Sequence, residues 1–585
     1  MDRKSVFGFI LIFIIIMAMP YYFKSVSKKP VDTQTPHTAV EPPIAQTQII
    51  SAPPIEKPAP KTDNKTSPVK LRADTLTIET DLYRLKVSSQ GGGTLTSIVL
   101  KNYKKISGHD TSLVELIPPS YSKRLYLRFV NISGDSTTLD QNFTVLPDKR
   151  AISNGHYKIA SNDSLSIKFL LNVGDRTLVS RTMVFYGNRF TIQLLDDLSG
   201  VRNEMASDKY DLIWEGGLAY TEELVKDDIY YSKATAYGGG ETENLDVKSG
   251  KSGQSKLIGS TQWTAIRTKY FAAALIPLKP ADAYCLTATG TPTAGKDFIK
   301  TFNMYLTLNT TEPNYTKIFI GPLDYSLIKN MAPGFENLMN FGFSLIRPIS
   351  KAILWVFTEM HRIIPNYGWV LIIFSFLLKF ALTPLTNSST RSMKEMQKLQ
   401  PQLSALHEKY GSDPQRENTE KMKMFKEHNI NPMGGCLPIL LQMPILWALF
   451  IVFRTTIELR QAPFIFWITD LSAPDTIFTL PFTIPLYGNH VNVLPILMAI
   501  SQLIQQKFSG ASGNQQQKVM MYFMTFFFLF LFNQFPSGLN LYYTLFNVLS
   551  IVQTKYFPPK PKPPKKSKKS ALQNLRQYQL KMRRH

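Results

Sequence analysis

Cysteine is nearly absent from these 585 residues: only Cys285 and Cys436 occur. They fall in segments of different character, so neither a disulfide framework nor a bridge between them is expected. The eight histidines are scattered, and no C-x-x-C or H-E-x-x-H appears, so metal chemistry has no ligand set and no cofactor is expected. GKS at 250–252 lacks the earlier glycine of a phosphate loop, since position 245 is Leu. Acid is scarce as well, with 43 Asp and Glu against 66 Lys and Arg. Scarcest of all is acid inside the long apolar runs of the C-terminal half, whose central turns hold no carboxylate.

The chain divides by composition. Residues 1–23 put Arg3 and Lys4 before the apolar run Val6–Met19, and Pro20, Tyr21 and Tyr22 follow where a small-x-small cleavage site would stand. An uncleaved anchor with an interfacial aromatic belt is the expectation. Residues 24–70 are rich in Pro, Thr, Gln and Lys, an extended linker. Residues 71–335 alternate with period two: Tyr83, Leu85 and Val87 interleave with Arg84, Lys86 and Ser88, and Met304, Leu306 and Leu308 repeat the pattern late. That predicts a large antiparallel β sandwich. Residues 340–364 separate Arg347, Lys351, Glu359 and Arg362 from Ile353, Leu354, Val356 and Phe357, an amphipathic helix lying on a membrane surface.

Five spans are expected at Tyr367–Thr386, Cys436–Thr455, Val491–Lys507, Val519–Phe535 and Leu539–Tyr556, within a core covering 365–557. With the anchor they make six, so the fold class is a membrane α-helical bundle joined to an extracytoplasmic all-β domain. A cytoplasmic helical hairpin is expected over 387–430, where Arg391, Lys394, Lys398, Lys409, Arg416, Lys421, Lys423 and Lys426 gather. The outer loop near 457–490 offers Arg460 against Glu458, Asp470 and Asp475. This asymmetry places the hairpin, the N-terminus and the basic tail 558–585 inside, and the β domain outside. Lys24, Lys28 and Lys29 oppose it mildly.

One residue breaks the apolar rule. Lys379 sits mid-span, and a charge there costs about 2.5–3.5 kcal/mol on insertion scales, so it must face protein or water. Ser375, Thr383 and Thr386 share its helical face; Gln442 lies in the next span, Ser501, Gln502, Gln505 and Gln506 crowd the inner end of Val491–Lys507, and Asn540, Thr544 and Asn547 stripe the last. Converging, they would enclose a wet cavity in the inner half of the bilayer. A cation there with no acid beside it would draw an acidic stretch of another chain, at about 4 kcal/mol for 4 Å and an effective dielectric near 20. A Ser375–Lys379 peptidase dyad is an alternative chemistry. A small-solute transporter is a third reading, weakened by the lack of internal repeats.

Lys379 before the PLT of 384–386, NPMGGCLPILLQMPI at 431–445, ELRQAPF at 458–464 and FPSGLNLYY at 535–543 together resemble the YidC family of bacterial membrane protein insertases, of the type with a large periplasmic domain. The resemblance implies a non-enzymatic insertase and chaperone of the bacterial inner membrane, with a hydrophilic groove around a central basic residue and a periplasmic β-supersandwich. It carries groove contacts over to Gln442, Met443, Tyr542 and Tyr543. It also implies nascent membrane proteins, the Sec translocon and the ribosome as partners beside the lipid bilayer; DNA is not expected. For the tail, ribosomal phosphate and anionic lipid stand as rivals. The segment FTLPFTIPLYGNH at 478–490 departs from the family as an insertion.

Overall fold

The computed structural model describes residues 74–107, 110–117, 124–146, 155–293, 298–411, 413–428, 437–485, 487–509 and 515–558. The expected anchor, the linker, the NPMGG turn and all but the first residue of the tail lie outside them.

The alternating segment builds two sheets. The smaller has five strands between Thr75 and Lys158, antiparallel except where Thr75–Glu79 runs parallel to His156–Lys158. The larger has fourteen, and its centre runs Met205–Trp214, Phe298–Asn309, Ala281–Pro292, Ser252–Arg267, Phe271–Pro277, Asn314–Pro322 and Thr191–Asp197 in spatial order. Alternation translates into burial as period two requires: Met304, Leu306 and Leu308 point into the core shared by both sheets, as do Tyr83, Leu85 and Val87.

Phe271–Pro277 breaks that rule, being buried along its whole length. It serves two cores at once. Phe271, Ala273 and Leu275 face the sandwich, whereas Ala272, Ala274 and Ile276 face a second cluster with Trp263, Phe319, Phe335, Leu338 and Phe341. Small alanines let the 325–341 segment approach closely on that side. Leu354 of the first long helix closes the same cluster, so apolar packing joins sandwich to helices.

The helices used below are α1, Val225–Tyr231; α2, Arg347–His361; α3, Tyr367–Lys398; α4, Gln400–Tyr410; α5, Pro414–Glu427; α6, Leu437–Thr455; α7, Val493–Ser509; α8, Gln515–Phe532; and α9, Ser537–Tyr556. α2 buries Ile353, Leu354 and Phe357 and leaves Trp355 exposed. Asn366 caps α3 through the amides of Gly368 and Trp369. α3 overshoots the expected end at Thr386. Nothing in NSSTRSMKEMQK breaks a helix, the Thr390 hydroxyl donates back to the Thr386 carbonyl at 2.9 Å, and the stop waits for Pro401. At 32 residues α3 is about 48 Å long, well beyond a hydrocarbon core of about 30 Å. It is the one helix among the described residues both long and apolar enough to cross a membrane; Gln442–Thr455 and Met521–Phe532 are shorter apolar helices. α4 and α5 form a hairpin over a small cluster of Leu399, Leu403, Met424 and Phe425.

The helical core gathers Phe374, Leu449, Phe453, Met498, Phe532, Leu539, Tyr542 and Phe546 from α3, α6, α7, α8 and α9. Gly538 has a steric reason to be glycine. A Cβ there would stand 2.3 Å from the Phe453 ring and 3.0 Å from the Leu471 carbonyl.

Sandwich and bundle also meet through ions. Asp227 of α1 takes Arg454 of α6 at 2.8 Å and Lys269 at 2.9 Å, while Arg460 binds Glu222 at 2.9 Å and the Lys104 carbonyl at 2.8 Å. Against its burial, the two cations hold the Asp227 carboxyl below the usual range. Beside this cluster one oxygen of Glu458 is sealed from water with no hydrogen-bond partner among the described residues, and burial, reinforced by Asp324, pushes that carboxyl up to about 8. The folded state therefore holds a proton that the unfolded chain releases near pH 4.5, so stability declines as pH rises from about 5 to 8. Glu458→Gln should flatten that decline and raise the unfolding temperature at pH 8, measured by thermal unfolding in detergent across the window. An unaltered profile would count against it.

Candidate functional site

Lys379 stands midway along α3, one turn before Pro384, and is 7% exposed. Its ammonium donates to Ser550 Oγ of α9 at 2.7 Å and lies 4.5 Å from the centroid of the Phe546 ring. Ser550 in turn donates to the Phe546 carbonyl at 2.7 Å, which leaves its oxygen lone pairs for the lysine. Among the described residues no carboxylate lies within ion-pair distance of Lys379. A hydroxyl and an aromatic face carry a buried charge, both weaker than a carboxylate.

The other expected residues scatter along and around the same helices. The Ser375 hydroxyl, fully buried, donates to the Leu371 carbonyl at 2.7 Å, and Thr383 donates to the carbonyl of Lys379 itself at 2.8 Å. Ser375 and Lys379 thus turn to different partners, and the dyad needed for a peptidase is not formed. Asn547 faces α7, donating to Ser501 Oγ at 3.1 Å and the Met498 carbonyl at 3.4 Å. Asn540 binds the Phe532 carbonyl at 3.1 Å, where α8 turns into α9, and Thr544 donates back to Asn540 at 2.8 Å. Ten residues separate Asn540 from Ser550, roughly 15 Å along a helix. Asn540 therefore shares a helix with the lysine's partner, not a contact shell.

Tyr542 is fully buried, while Tyr543 packs edge-on against Phe532 at 5.3 Å. Gln442 of α6 is the polar group beside the Tyr542 hydroxyl. Met443 is half-buried next to it. The structure brings together Lys379, Phe546 and Ser550 at one level, and Gln442, Tyr542 and Tyr543 in a second group nearer the N-terminal end of α9, with Met443 next to Gln442 in sequence. Ser550 and Phe546 escaped the sequence reading, although Ser550 continues the Asn540, Thr544, Asn547 stripe by three residues. Gln553, which donates to Asn387 Oδ1 at 2.8 Å, extends the α3–α9 seam towards the hairpin. Among the described residues no cluster of His, Cys, Asp and Glu could hold a metal.

A β sandwich packed against a helical bundle, one of whose described helices is long and apolar enough to cross a membrane, is the architecture to set beside known families. A family model described as 60Kd inner membrane protein matches residues 359–562, and the model of the YidC periplasmic domain matches 75–356. A relative from Chlorobium phaeovibrioides, named membrane protein insertase YidC, is 38% identical over 570 residues, covering 95% of each chain. Its counterpart of the same name from Chlorobaculum parvum is 35% identical over 572 residues, covering 95% of this chain and 94% of its own. The chain belongs to the YidC family, whose members are inner-membrane insertases and not enzymes.

Removing the Ser550 hydroxyl leaves a buried ammonium with only a ring. Ser550→Ala should lower stability by about 1.5–3 kcal/mol. In the background of Lys379→Met the same change should cost at least about 1 kcal/mol less, because the two side chains share one contact. Denaturant unfolding of the four proteins in detergent measures the cycle, and strict additivity would refute the pairing.

Proposed function

We propose that this chain inserts integral membrane proteins into the bacterial inner membrane and helps them fold, with Lys379 as the central charge of a groove between α3 and α9. The observation that carries this reading is the buried ammonium whose partners among the described residues are neutral. Such a charge is costly to keep, and a stability role would be served better by a leucine. Its free capacity suits an acid that visits and leaves.

Six spans complete the proposal: the anchor at 1–23, α3, α6, α7, α8 and α9. Both termini and the α4–α5 hairpin are cytoplasmic, and the sandwich is periplasmic. An incoming apolar segment would slide along the outward side of α3, where Phe376, Leu377 and Phe380 are exposed. Its short polar flank would enter where α3 and α9 part, meet Lys379 and then cross. Burial of the new span in lipid supplies the driving force, at about 25 cal/mol per Å² of apolar surface. Gln442, Met443, Tyr542 and Tyr543 would line the outer reach of the path. The basic hairpin is a reasonable surface for ribosomal phosphate, and cooperation with the Sec translocon follows from the resemblance.

A groove that works by charge predicts a graded response. Lys379→Arg keeps the charge, although five N–H donors meet fewer acceptors than they need, so insertion should fall no more than severalfold. Lys379→Glu should lower insertion at least tenfold for a client with an acidic flank. Protease protection of a small client in proteoliposomes reads both outcomes. Full insertion by the glutamate variant would remove Lys379 from the mechanism.

A further inference from the structure

The segment between α6 and α7 that holds the expected insertion at 478–490 contains a built β-hairpin. Strand Thr476–Ile484 pairs antiparallel with Gly488–Asn492, in the register Thr476 to Asn492, Phe478 to Val491 and Ile484 to Gly488. From 476 to 492 the chain contains no Asp, Glu, Lys or Arg. Its apolar side chains are not tucked away: Ile477 is 59% exposed, Phe478 58% and Phe482 60%. A two-stranded hairpin is marginal in water, and an uncharged apolar one is an aggregation hazard.

The hairpin is nevertheless firmly rooted. Asp475 at its base accepts the amides of Val493 and Leu494 at 3.1 and 2.8 Å and the Trp467 indole N–H at 2.9 Å. At its far end Asn533 donates to the carbonyls of Tyr487 and His490 at 2.9 and 2.7 Å. The Tyr487 ring meets Phe530 of α8 edge-on at 5.4 Å. The exposed apolar surface is thus continuous with the outward faces of α7 and α8, where Ile500, Phe523 and Phe526 are exposed.

We propose that this hairpin is a lipid-binding element, seated at the boundary between headgroups and acyl chains of the outer leaflet with Ile477, Phe478 and Phe482 in the acyl region. The inference rests on the membrane placement of α7 and α8 proposed above. Depth follows from hydrogen bonding. The free strand edges cannot be left unpaired in hydrocarbon, but at the boundary water and headgroups reach them, as they reach the hydroxyls of Thr476, Thr479 and Thr483. Pro481 lies in the register slip between Thr479 and Ile484, a break in the strand that disfavours strand addition by a second copy.

The test uses full-length protein with Cys285 and Cys436 replaced by Ser, a single new cysteine carrying an environment-sensitive fluorophore, and reconstitution into phosphatidylcholine vesicles. Labels at Phe482→Cys and, separately, Phe478→Cys should lose at least half their emission when the vesicles contain lipid with a nitroxide high on the acyl chain, and resist aqueous iodide. Phe526→Cys on α8 reports the underlying placement, and Leu278→Cys on the sandwich reports water. Quenching at 526 without quenching at 478 and 482 overturns the hairpin inference and leaves the spans standing. No quenching at 526 overturns the placement and the inference together. Hairpin labels shielded from both quenchers would mean a protein, such as a second copy, covers this face, and would likewise overturn it.

Discussion

A buried ammonium needs partners, and among the described residues its hydroxyl and ring partners both come from one other helix. Lys379 reaches across from α3 to Ser550 and Phe546 of α9, so the α3–α9 seam is held by a polar contact where apolar helices would otherwise be free to slide. Lipid gives helices no hydrophobic reason to associate, so such contacts and close packing decide which faces meet. Gly538 and the Asn540 amide do the same work at the N-terminal end of α9, one by letting Phe453 approach and the other by closing the α8–α9 turn.

The sandwich is tied to this bundle by contacts that lipid could not supply. The ion cluster of Asp227, Lys269, Arg454, Glu222 and Arg460 is partly withdrawn from water, where such pairs resist salt better than exposed ones. Beneath it the alanine face of Phe271–Pro277 packs through the 325–341 segment to Leu354. Two kinds of contact together make the domain part of the bundle's packing instead of a tethered neighbour.

The features legible in the sequence are those with a single period. Strands facing one core alternate, as Met304 to Leu308 do, and helices facing lipid read as apolar runs, as α3 does. Legibility ends where a residue serves two environments. Phe271–Pro277 has no alternation because both its faces are buried. The end of α3 was misplaced because the switch from apolar to charged residues is a change of solvent, not of backbone. The hairpin at Thr476–Asn492 carried two prolines that argue against a strand, yet Pro481 sits in a register slip where no ladder N–H is needed. Of the candidate site, the charge was plain and its partner was not, because a serine among apolar residues says nothing of which neighbour it meets.

That serine also explains the chemistry of the seam. Ser375, Thr383, Thr386, Thr544 and Ser550 all spend their hydroxyl protons on carbonyls of their own helices. Each keeps lone pairs and gives up its donor, so the striped faces that look generally polar in sequence are acceptor faces in space. Asn547 and Gln553 have donors, but these are committed to Ser501 and Asn387. An arriving carboxylate can use only donors, and acceptor faces repel it. Against such a lining the ammonium of Lys379 is the charged donor, and it binds an acid more strongly than the neutral donors of Gln442 and Tyr542 do. The same lining would accept a peptide N–H readily, so an extended polar flank could bond to the walls through its backbone while its acidic side chain sought the lysine.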